Sequence, residues 1–177
     1  MGSGSGLACS IRLNTTLTPE QQTVYQNEET IRALLEESKN IAILGMSTDS
    51  QKASYFVGSY LLYEGYNVIP VNPRATEILG RKCYPDLVSI PEKIDMVDVF
   101  RPISEIPAIT DQAIQIKARS LWLQLRLIDL ESAERARAAG LSVVLDKCVK
   151  MEHGRYHGSL HWAGMNTEII SARRATL

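Results

Sequence analysis

The stretch "NIAILGMSTDSQKASYF", residues 40–56, decides the fold. An aliphatic run stops at Gly45, a polar loop follows, and then a helical pattern begins. A short apolar run closed by glycine reads as a buried strand. The next segment, "ASYFVGSYLLYEG", places Phe56, Val57, Tyr60 and Leu61 on one helical face, with Gly65 as the C-terminal cap. Strand, glycine turn and helix together aim backbone amides and a helix N-terminus at one point, which suits an anion. Ser47, Thr48, Ser50 and Ser54 add hydroxyls and Lys52 adds a compact positive charge. That equipment suits phosphate, although one or two of the hydroxyls could serve only to cap the helix.

The same alternation runs outward from this stretch. "NEETIRALLEESKN" spaces Ile31, Leu34 and Leu35 as a helix before the strand, with acids in its first turn and Lys39 near its end. "YNVIPV" is a second strand closed by "NPR". Strands at 95–100, 120–125 and 141–146 alternate with helices at 103–118 and 129–140. Five strands too apolar to leave a face wet predict a doubly wound, Rossmann-like α/β domain with a parallel sheet covered on both sides. The expected spatial order is 3-2-1-4-5, which puts the ligand crevice between the first and fourth strands. The segments to interrogate are then 45–54, 71–74, 100–102, 124–126 and 146–148. The long connection 72–94 is expected to hold a short helix or strand fragment.

Composition narrows the classes. The 177 residues are 45% apolar and 22% charged, and 19 basic against 20 acidic residues leave a net charge of -1. A general nucleic-acid binder carries a basic excess that is missing here. No apolar run approaches the length of a membrane span. Cys9, Cys83 and Cys148 are too few and scattered for a disulfide framework, so a reduced, cytoplasmic setting is the default. "MGSGSG" reads as a tag scar and residues 7–26 as a flexible arm unless they dock, leaving 27–177 as one domain.

Several familiar chemistries do not fit. The P-loop pattern, G-x-G-x-x-G and the hydrolase elbow G-x-S-x-G are all missing. NAD-binding sheets usually end their second strand in an acid that grips the ribose. Here that place holds Asn72 and the cationic Arg74, which favours a ribose phosphate, as in NADP or coenzyme A. His153, His157 and His161 lie four apart, but Gly154 and Gly158 weaken the helix a metal site would need. A structural or ligand-edge hydrogen bond is the expected use of His153. Lys147 and Lys150 could favour a Cys148 thiolate able to pair with a ligand thiol, against its commoner use as a small buried apolar residue. No nucleophile–base pair emerges among Asp95, Asp98 and Asp146, so binding rather than catalysis is expected.

Taken in order, the run from "IAILGMSTDS" to "VDVFRP", then "LWLQL", "DKCVKMEH" and "HGSLH", resembles the small stand-alone CoA-binding domain proteins of bacteria and archaea. Those are related to the CoA-binding domain of succinyl-CoA synthetase, and the similarity spans roughly residues 28–172. The resemblance implies a coenzyme A or acyl-CoA ligand. Gly45, Ser47, Lys52 and Ser54, with Met46 beside them, would hold the phosphates. Val71, Asn72, Pro73 and Arg74 would line the adenosine side, Arg101 would supply a further cation, and Gln124 would face the pyrophosphate or the pantetheine arm. The family commonly has glycine where this chain has Arg126. Two rivals stay open: an NADP-binding or redox-sensing domain, and a protein-interaction module with a vestigial groove. A homodimer or an unidentified protein partner also stays open.

Overall fold

The structure, a computed structural model, describes residues 16–157. Its elements in chain order are α1 (Pro19–Tyr25), α2 (Glu28–Glu37), β1 (Asn40–Leu44), α3 (Ala53–Tyr63), β2 (Asn67–Val71), β3 (Glu77–Ile78), β4 (Arg81–Lys82), β5 (Met96–Val99), α4 (Ile106–Gln115), β6 (Ser120–Leu123), α5 (Leu130–Ala138), β7 (Ser142–Val144) and α6 (Val149–Tyr156). Five strands form a parallel sheet in the order β2-β1-β5-β6-β7.

Side chains alternate across that sheet, as strand geometry requires. Ala42, Leu44, Val97 and Val99 pack with Ile106, Ile109 and Ala113 of α4 and Ala133 and Ala136 of α5. Ile41, Ile43, Met96 and Trp122 pack with Leu34 and Leu35 of α2, Val57 and Leu61 of α3, and Val149 of α6. Both faces are therefore covered, and the doubly wound class holds. No helix among the described residues is long and apolar enough to cross a membrane.

The strand order corrects the expectation. In strands counted from the first, it is 2-1-3-4-5 rather than 3-2-1-4-5. The outer edge of β2 is already occupied: the Tyr84 amide donates to the Pro70 carbonyl at 3.0 Å, and the Asn72 amide donates to the Tyr84 carbonyl at 2.8 Å. Pro70 itself has no N–H to offer a neighbouring strand, which is why proline within a sheet marks an edge. The third strand, β5, accordingly pairs on the other side of β1. Winding reverses between β1 and β5, and the crevice opens there rather than beside the fourth strand.

Two further segments settle. The 72–94 connection contains a small antiparallel hairpin, β3–β4, turned by Leu79 and Gly80 at φ 54° and 68°. Both central residues in the left-handed region match a two-residue hairpin turn. Residues 17–26, expected within a flexible arm, are docked instead. Thr18 and Gln21 form a reciprocal cap on α1, and Leu17 and Tyr25 are buried. The Leu145 amide donates to the Tyr25 carbonyl, and Gln26 Nε2 donates to the Leu145 carbonyl, so this junction closes the chain just past β7. Residues 1–15 and 158–177, which include Cys9, Gly158 and His161, lie outside the described residues.

Candidate functional site

Gly45 turns the chain out of β1 at φ 85°, and its amide donates to the Val71 carbonyl. A Cβ there would stand 2.6 Å from the Phe100 carbonyl oxygen and 2.7 Å from Arg101 Cδ. Glycine is thus required by the close approach of the β1 and β5 ends, before any ligand is considered. Met46 is fully buried beneath α3, where Gly58 makes room for it: a Cβ at 58 would lie 2.3 Å from Met46 Cε. Its side chain anchors the loop and is not available to a ligand.

The loop hydroxyls do not cap α3. The Ser47 amide donates to Ser54 Oγ at 3.0 Å, and the Asp49 amide donates to Ser47 Oγ at 3.0 Å. Asp49 Oδ1 accepts in turn from the Gln51 amide. Ser47 and Ser54 therefore spend a lone pair each on loop shape, while the Ser47 hydroxyl proton can still be donated outward. Lys52 stands at the N-cap of α3 with no side-chain capping bond and lies exposed. Among the described residues it makes no ion pair.

Asn72 ties this loop to the one after β2. Its Nδ2 donates to the Met46 carbonyl at 2.8 Å and its Oδ1 accepts from the Arg74 amide at 2.9 Å. The residue positions both loops, and Pro73 and Arg74 are left exposed. A cleft of about 320 Å³ opens beside it, walled by Leu44, Gly45, Val71, Pro73, Pro85 and Ile109. Arg101 also borders the cleft, but Glu105 holds it in a two-pronged pair at 2.7 and 2.8 Å. Its charge is offset locally rather than held free for an anion. Pro85, Asp86 and the start of α4 line the cleft without having been singled out in the sequence. Their only signal is the "YPD" turn inside a connection that carries no periodic pattern.

Gln124 departs from expectation. It is buried, and Nε2 donates to Asp98 Oδ1 at 2.7 Å, so the amide nitrogen is turned into the protein instead of facing a ligand. Asp98 sits in the middle of β5 with no exposed surface. Burial pushes its carboxyl up to about 7, while the Gln124 hydrogen bond and the Val99 backbone pull the other way. Asp98 Oδ2 has no partner.

Cys148 at the N-cap of α6 is partly exposed, yet burial pushes its thiol up, outweighing the Met151 and Lys150 amides that favour the thiolate. The flanking lysines are engaged elsewhere. Lys147 Nζ lies 3.7 Å from Glu152, and Lys150 Nζ sits over the Phe56 and Tyr60 rings. The favoured thiolate is therefore not realised. His153 Nδ1 pairs with the Tyr60 hydroxyl at 2.8 Å, and its ring meets Tyr60 and Tyr66 edge-on. Burial pushes its pKa down. The helix that carries it runs through Gly154, a residue that weakens it, and ends at Tyr156.

Arg126 is exposed at φ 68°, and its amide donates to Asp146 Oδ1 at 2.7 Å. This left-handed backbone is why glycine suits the position.

The sequence model of a family described as CoA binding domain matches residues 39–154. The protein YneT of Bacillus subtilis (strain 168) is 33% identical over 123 residues, covering 70% of this chain and 91% of that protein. A solved structure from Pyrococcus horikoshii OT3 is 40% identical with a TM-score of 0.70, covering 72% of this chain and 90% of that one. Acetate–CoA ligase (ADP-forming) II of Archaeoglobus fulgidus is 32% identical over 79 residues, which are 44% of this chain and 12% of that enzyme.

Proposed function

Because the chain belongs to the CoA binding domain family, we propose that it binds coenzyme A or an acyl-CoA across the carboxyl ends of β1, β5 and β6. The observation that carries this is the meeting of three features at the reversal point of the sheet: a turn bent at Gly45, a helix start with no side-chain cap, and a Lys52 that makes no ion pair among the described residues. Amides and a cation so placed suit a pyrophosphate. The largely apolar cleft beside them suits a purine ring. Arg74, exposed at the end of β2, suits the ribose phosphate. Gly45, Met46, Asn72 and Ser54 serve mainly to hold the two loops in place. The titratable groups near the crevice favour binding over catalysis, since Asp98 is sealed and the Cys148 thiol is held protonated by burial.

Calorimetry tests this with coenzyme A, dephospho-coenzyme A, NADP and NAD. Coenzyme A should bind tightest and lose affinity without its ribose phosphate. Lys52→Ala should weaken it by about 1 kcal/mol, as befits an exposed charge, and more at low salt. Binding of NADP alone would replace the ligand, and binding of none of the four would leave only an interaction module.

A further inference from the structure

Helix α3 carries no charged residue from Ala53 to Tyr63, whereas every other helix among the described residues carries at least one. Ser54, Val57, Gly58 and Leu61 on its inner side are buried. Ala53, Phe56, Ser59 and Tyr63 lie on its outer side, with Phe56 59% and Tyr63 88% exposed. A helix packed on one side and wet on the other ordinarily keeps a charged outer face. An aromatic face with no charge in its middle has the composition of an interface core instead.

Charge returns only at the two ends of this stripe. At one end Lys150 of α6 places Nζ over the Phe56 and Tyr60 rings, 4.6 and 5.2 Å from their centroids. At the other, Glu64 follows Tyr63 and is exposed. Neither makes an ion pair among the described residues. The stripe is therefore positive at one end, aromatic along about 10 Å of helix, and negative at the other.

Such a surface complements itself when turned end for end. A two-fold axis through its middle runs the two α3 helices antiparallel and sets Phe56 against the partner's Tyr63. The same axis brings Lys150 to the partner's Glu64, twice over. A parallel pairing would bring like charges together at both ends. We propose that two copies of this chain associate through an antiparallel α3–α3 interface, with an aromatic centre and a Lys150–Glu64 pair at each end.

Sedimentation of the full chain tests it, and the native protein should run as a dimer. Lys150→Glu or Glu64→Lys alone sets like charges together twice and should weaken association about tenfold or more. The two reversals combined in one chain should restore most of it. An unchanged far-ultraviolet dichroism spectrum checks that each variant is folded. A native monomer at about 100 µM would overturn the proposal and leave the face to another segment of the chain or to a different protein. A dimer that neither single reversal weakens would overturn it too, because the two copies would then meet elsewhere. So would single reversals that the combined variant does not repair, because the two charges would then not face each other.

Discussion

Asp98 places a carboxyl in the central strand, where water cannot reach it and only one of its oxygens is bonded. With its pKa raised from near 4 in the unfolded chain to about 7 in the fold, the native state binds the extra proton between those values. Stability from this group is fully present below pH 4, declines as pH rises, and levels off above about 7. Asp98→Asn keeps an acceptor for Gln124 and cannot ionise. Urea unfolding between pH 5 and 8 should show the wild-type protein losing a few kcal/mol relative to this variant; parallel curves would mean an ordinary carboxyl at 98. At this scale the sequence was legible where a local rule applied. Gly45 marked its turn, and "VNPR" showed the missing acid. Gln124 was not legible, because the group that turns it inward lies 26 residues away. The roles of Ser47 and Ser54 were half legible: their place in the loop was plain, but their mutual bonding depends on how α3 is seated.

At the scale of elements, α3 is seated by a small residue meeting a large one. Gly58 leaves the space that Met46 fills, and the loop's path follows from that contact. Gly58→Ala should destabilise the protein by about 1–3 kcal/mol through overpacking, offset by any helix-propensity gain. Met46→Ala in the same chain should recover part of the loss, since the crowded methyl is then gone. Thermal unfolding of the two single variants and the double variant measures the coupling, and strict additivity would contradict it. Helices and strands themselves were legible because their periodicity is local. The position of β2 was legible too, in principle: Pro70 sits inside "NVIPV", and a residue without an N–H belongs at an edge. The docking of α1 was not, because a seven-residue helix shows little amphipathic pattern and is held by Tyr25 and Gln26 meeting the chain beyond β7.

For the whole molecule, a sheet wound both ways from β1 collects its loops at one edge, and Lys52, Arg74 and Arg126, without an ion pair among the described residues, stand there. The class of fold was legible from the alternation of strands and helices. The strand order was legible only through Pro70; that Tyr84 fills the edge beside it, from within an unpatterned connection, was not. Moving the crevice from the fourth strand to β5 brings α4 and Pro85 into the site and leaves the loop after β1 central in either topology. Hydrogen–deuterium exchange with and without saturating coenzyme A tests the central claim most directly. Slowed exchange concentrated at residues 45–54, 72–74 and 100–109 is the predicted footprint. Protection confined to the opposite, amino edge of the sheet, or an unchanged pattern at saturation, would contradict it.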